Sequence, residues 1–132
     1  RIFERNLNFL VANKKYSSNT NNRISIAETA IELEIGRLFG YRVGWMQSKG
    51  LVPNYEASMS KVYNSELTQR QARRFINMLG LHGNLSTHSD HAALNGLATK
   101  EYMSTVSSTI AAGTSEIQRN IIATRGLGLP RG

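Results

Sequence analysis

Cysteine is absent from this 132-residue chain, which excludes disulfides, zinc–thiolate sites and thiol nucleophiles. Proline occurs only twice, and no alternating run of apolar and polar residues marks a β-strand, so the pattern favours an all-α chain. Long apolar runs are also missing. None approaches the ~20 residues that cross a bilayer, and charge interrupts the opening Arg1-Ile2-Phe3-Glu4-Arg5, so it does not read as a signal peptide. A soluble protein of the reduced cytoplasm is expected. Residues 1–132 suit a single domain burying roughly two-thirds of its unfolded surface. The first residues read as part of a helix already under way, and the chain is expected to be a fragment of a longer polypeptide.

Acidic residues are scarce: 9 against 16 basic ones, for a formal charge of +7. Clustered Lys and Arg would favour a nucleic-acid backbone. Here they are scattered, and the one tight group, Arg70, Arg73 and Arg74, lies on an expected helix without interleaved aromatics. No nucleic-acid module is indicated. His82, His88 and His91 have loop spacings and one carboxylate nearby, Asp90, which does not make a metal site.

The apolar spacing predicts four helices stacked as an up-and-down four-helix bundle. The first covers about residues 1–12 and decays into the polar run 13–22, expected as a loop because Asn, Ser and Thr side chains compete for backbone hydrogen bonds. The second covers 23–48, with apolar residues mostly three, four or seven apart, and is ended by Lys49-Gly50. The third covers 54–79 and stops at Gly80-Leu81-His82-Gly83. Residues 84–95 show no clear period and are expected to wrap as a loop or broken helix before a fourth helical segment at 96–107. After a break at 109–114, Thr114 or Ser115 should cap a last helical stretch running to Gly126.

The tail, residues 111–132, reads A-A-G-T-S-E-I-Q-R-N-I-I-A-T-R-G-L-G-L-P-R-G. It resembles the closing signature of the acyl-CoA dehydrogenases, in which a Gly-Thr-x-(Glu/Gln)-Ile-Gln-Arg run opens a helix beside a flavin. The resemblance extends to Ala27-Glu28 through Trp45, to Tyr55-Glu56-Ala57-Ser58-Met59-Ser60-Lys61, and to Ile76-Asn77-Met78-Leu79-Gly80-Leu81-His82-Gly83, which is similar to the family's Gln-Ile-Leu-Gly-Gly-x-Gly turn. About 110 residues are covered. It implies a subunit of three parts, a helical N-terminal domain, a small β-domain and this helical domain, assembled as dimers or tetramers around FAD. It also implies oxidation of an acyl-CoA thioester between its α and β carbons, with electrons passed on to an electron-transfer flavoprotein or similar acceptor.

By the same resemblance, Thr114 and Glu116 take the positions that contact the flavin's adenosine and ribose hydroxyls, and Asn77 and Gly80 lie in the turn that approaches the adenosine end of a flavin held mainly by a neighbouring subunit. Asn77 stands where the family often has Gln, and Leu81 where it often has Gly. The family's Arg-x-x-Phe-Gly loop is missing from residues 13–22, where Lys14-Lys15 supplies charge without arginine's planar fork. The surplus of positive charge would suit an acidic partner domain or the phosphates of a dinucleotide and of coenzyme A.

The family's usual catalytic glutamate precedes the signature Gly, and that position is Ala112. Alanine accepts no proton. No catalytic residue is therefore assigned within the chain; the base comes from a helix upstream of Arg1, as in some branches of the family, or from a related partner subunit. The isolated chain is expected to be inactive. The tail looks more like bacterial members, including heteromeric enzymes acting on steroid side-chain thioesters. A competing expectation is a non-catalytic oligomerisation module that has lost the dehydrogenase activity, with apolar faces around Trp45 and Phe75 meeting other copies.

Overall fold

A computed structural model of the chain describes residues 1–131. Gly132, the last residue of the tail motif, lies outside the described residues. Among these, there is no strand, and six α-helices follow in order: α1 (Ile2–Ala12), α2 (Lys14–Ser17), α3 (Thr20–Ser48), α4 (Tyr55–Leu79), α5 (Leu97–Thr105) and α6 (Ser115–Ile121). Short 3-10 turns and a closing π turn at Ile122–Gly126 join or extend them. The all-α expectation holds. No described helix is long and apolar enough to cross a membrane.

The polar run 13–22 is less of a loop than its composition predicts. It holds the single turn α2, and α3 starts within it, because Asn19 Oδ1 accepts from the backbone N–H groups of Asn21 and Asn22 at 2.9 and 3.3 Å. One of the residues expected to disfavour helix continuation instead starts the next helix. The end of α3 follows expectation: Leu51 N–H donates to the Met46 carbonyl and Gly50 N–H to that of Gln47, both at 3.0 Å, with Gly50 at φ +72°. This is a Schellman stop, set by the glycine that follows Lys49.

The contacts divide the chain into two compact units, Arg1–Ile31 with Gln69–Val106, and Glu32–Thr68 with the tail that begins at Ser107. The first has the apolar core. Leu10, Phe75, Ile76, Leu79, Ala93 and Ala98 are buried together, with Phe9, Tyr16, Ile26, Met78 and Leu94 packed around them. Phe9 meets Phe75 edge-on at 6.5 Å and Tyr16 at 6.1 Å, which ties α1 and the short α2 to α4. Arg5 pairs with Glu101 at 2.5 Å, joining α1 to α5, and Arg74 on α4 reaches Glu28 and Thr29 on α3. One member of the basic group therefore braces two helices.

The second unit is held differently. Its one fully buried large side chain among the described residues is Leu67. Antiparallel segments of α3 and α4 are joined by Tyr63 Oη donating to the Glu32 carbonyl and Asn64 Nδ2 to that of Gly36, at 3.2 and 3.3 Å. Phe39 packs on Tyr63 at 5.2 Å. The tail returns to α4 through Arg119 to Glu66 at 2.6 Å and Arg125 to Asn54 Oδ1 at 3.0 Å. Leu38 and Trp45 remain 62% and 57% exposed, so this unit leaves much apolar surface uncovered.

Candidate cofactor-binding site

In the first unit, the end of α4 and the start of the following 3-10 turn form one wall of an open groove of about 360 Å³. Asn77 and Gly80 line it. The facing wall carries Lys15 and Tyr16 of α2, together with Asn19 and Asn22. Lys15, though not its neighbour Lys14, thus shares one cavity with the turn. Lys15 Nζ lies 5.7 Å from the centre of the Tyr16 ring, and Asn22 Nδ2 donates to the Tyr16 carbonyl at 3.0 Å, which steadies that wall. Gly80 takes φ +61°, so the helix can end in a left-handed residue beside the groove. A cation and several amides around an open cleft match the chemistry of a phosphate-linked nucleotide. His82 also lines the groove and bonds through Nδ1 to the His91 carbonyl at 3.2 Å.

Thr114 and Glu116 belong to the second unit, so the four expected residues fall into two pairs. Thr114 is the N-cap of α6: its Oγ1 accepts from the Ile117 N–H at 3.3 Å. Glu116 lies exposed in the first turn. Its carboxyl is held below the ordinary value by a hydrogen bond with its own backbone, then by the Thr114 hydroxyl, with smaller help from Arg119 and Lys61. It stays ionised and able to accept hydrogen bonds from a ligand's hydroxyls.

The turn before α6 explains several letters of the tail motif. Ala112 and Gly113 are both left-handed, at φ +56° and +88°. Gln118 Nε2 donates to the Ala112 carbonyl at 3.2 Å, and a Cβ on Gly113 would fall 2.5 Å from that same nitrogen. The motif glutamine therefore clamps the turn, and the motif glycine leaves room for the clamp. Residue spacing carries no signal for this role of Gln118, because the contact depends on the left-handed turn at Ala112 and Gly113. Ala112 is exposed and strained, since a left-handed L-residue costs ~1–2 kcal/mol. Ala112→Gly should relieve that strain, less ~0.5–1 kcal/mol of added unfolded-state entropy, for a net gain of about 0.5–1 kcal/mol in urea unfolding. A loss of stability would show that the turn is not held left-handed.

This turn and clamp carry the residues of a known signature. The family model for the acyl-CoA dehydrogenase C-terminal domain matches residues 10–127. The chain belongs to the acyl-CoA dehydrogenase family. It is 30% identical over 112 residues to acyl-CoA dehydrogenase FadE26 of Mycobacterium tuberculosis (strain ATCC 25618 / H37Rv), covering 83% of this chain and 28% of that protein. Among solved structures, it is similar to the Tcur3481-Tcur3483 steroid ACAD, with a TM-score of 0.92, 25% identity, and coverage of 100% of this chain and 34% of that one. It is also similar to the ChsE4-ChsE5 complex from Mycobacterium tuberculosis, with a TM-score of 0.76, 28% identity, and coverage of 93% and 30%. The chain thus has the fold of the C-terminal helical domain and spans about a third of the length of these relatives.

Proposed function

We propose that this acyl-CoA dehydrogenase domain supplies FAD contacts, separately from each of its two units, in an enzyme that oxidises an acyl-CoA thioester, and that it does so within an assembly of related subunits. The observation that carries the reading is the groove shared by Lys15, Asn77 and Gly80. Lys15 neutralises a phosphate, Asn77 offers an amide donor and acceptor, and Gly80 keeps the floor free of a side chain. In the second unit, and independently of that groove, Thr114 and Glu116 are assigned to flavin ribose and adenosine hydroxyls, with Gln118 fixing the turn on which they sit. The bound flavin supplies hydride acceptance from the substrate's β carbon. Ala112 cannot take the α-proton, so the base is supplied from elsewhere in the subunit or from a partner.

Two features favour an assembly. The second unit has little apolar core and exposes Ile35, Leu38, Tyr41 and Trp45 along α3, a surface that association would bury. The likeness to a steroid enzyme and to a two-protein complex supports a heteromeric member acting on a steroid side-chain thioester. Lys15→Ala in the full-length protein is expected to weaken FAD retention about tenfold, the size of a lost charge-assisted hydrogen bond. Flavin content after gel filtration measures this, and unchanged retention would remove Lys15 from the site.

A further inference from the structure

The chain does not simply run off the end of α6. The Leu127 N–H donates to the Ile122 carbonyl at 3.1 Å and the Leu129 N–H to that of Ala123 at 3.0 Å, so the tail bends back. The bend places Pro130 and Arg131 beside Ile117, Asn120 and Arg125 around a cavity of about 400 Å³. That volume falls within the ~300–1,000 Å³ of small-molecule sites. The π turn at Ile122–Gly126, a backbone form frequent at functional sites, supplies part of its wall.

Two guanidinium groups line this one concavity, and among the described residues no carboxylate lines it. Arg125 Nη1 donates to Asn54 Oδ1 at 3.0 Å; a neutral amide orients the fork without cancelling its charge. Like charges converging in a cleft raise the local concentration of anions, and arginine forks match phosphate oxygens. Ile117 and Pro130 add apolar surface on which a ring can lie.

We propose that this cavity binds a nucleoside phosphate, with the phosphate between Arg125 and Arg131, Asn120 donating its amide, and the base against Ile117 and Pro130. The ligand is either the nucleotide end of coenzyme A or a free adenine nucleotide; only the first source rests on the dehydrogenase reading. Calorimetric titration of the full-length protein with coenzyme A, AMP, adenosine and inorganic phosphate tests it, in the wild type and in Arg125→Gln, Arg131→Gln and the control Arg37→Gln. Arg37 is exposed and paired with Glu34 on α3.

AMP or coenzyme A should bind, Arg125→Gln and Arg131→Gln should each weaken binding roughly tenfold, and Arg37→Gln should leave it unchanged. Coenzyme A binding more tightly than AMP, with that excess lost in Arg131→Gln, assigns the thioester carrier; equal binding assigns the free nucleotide. Affinity unaltered by Arg131→Gln, adenosine binding as tightly as AMP, or inorganic phosphate binding as tightly as either nucleotide would overturn the proposal. Arg131 lies in the tail, so its replacement leaves the helices intact. Failure here leaves flavin content untouched, whereas failure of the dehydrogenase reading appears as a flavin-free protein.

Discussion

Phe75→Ala is expected to lower the stability of this chain by about 3–5 kcal/mol, the range for emptying a packed aromatic position. Phe75 is 4% exposed and sits in the cluster of Leu10, Ile76 and Leu79, with the Phe9 ring packed nearly perpendicular to it. Its removal loses the transfer energy of the ring and leaves a void that α1 and α4 cannot both close. Native stability is only about 5–15 kcal/mol, so the loss is a large fraction of the whole. Leu38→Ala is the control. At 62% exposed it should change the stability of the isolated chain by no more than about 0.5 kcal/mol. Urea unfolding of both variants decides the matter, and equal losses would place the core elsewhere.

Gly96→Ala should be nearly as damaging, by about 2–5 kcal/mol, through backbone geometry. Gly96 takes φ +75°, and a Cβ there would lie 2.7 Å from the Ser86 carbonyl carbon and 2.9 Å from the Thr87 Cα. Those are main-chain atoms and cannot rotate aside. Left-handed strain of ~1–2 kcal/mol adds to ~1–3 kcal/mol of overpacking. Gly44→Ala makes the opposite case: it lies within α3 with nothing within 4 Å of the added carbon, and should stabilise the chain by about 0.5–1 kcal/mol. Thermal unfolding should therefore move in opposite directions for two identical substitutions. Matching shifts would contradict the close approach of residues 86–87 to Gly96.

Local chemistry explains what could be read in advance. The stop at Lys49-Gly50, the Thr114 cap and the extents of α3 and α4 depend on neighbours in sequence, and they appear close to where spacing put them. Residues 84–95 show no regular period in the sequence, and no pattern there gives their backbone form. Leu94 and Asn95 both adopt positive φ, and an Asn-Gly pair hints at such a turn, whereas Leu94 carries no local hint. Its packing against the core supplies the reason. Asn19 misled for a related reason, since the same side chain that disfavours a helix interior caps a helix start.

The groove followed the same division. The turn containing Asn77 and Gly80 was visible as a motif, and Lys15 as a charge, yet their meeting depends on Phe9 packing against both Tyr16 and Phe75. Long-range packing of that kind has no signature in residue spacing. The Arg125 contact with Asn54, 71 positions away, was equally out of reach, and so was the cavity it helps to build. That position 112 lacks a base is plain from its alanine, whereas its left-handed backbone is set by the turn and has no mark in the sequence.

The most direct test of the central claim is an anaerobic titration of the full-length protein, alone and with any adjacently encoded homologue, with a panel of acyl-CoA thioesters that includes steroid side-chain substrates, following the visible absorbance of the bound flavin. The account predicts a flavin-containing protein whose absorbance bleaches with at least one thioester, which requires a base other than Ala112. Protein free of flavin in both preparations would contradict it and favour an oligomerisation module that has lost the chemistry.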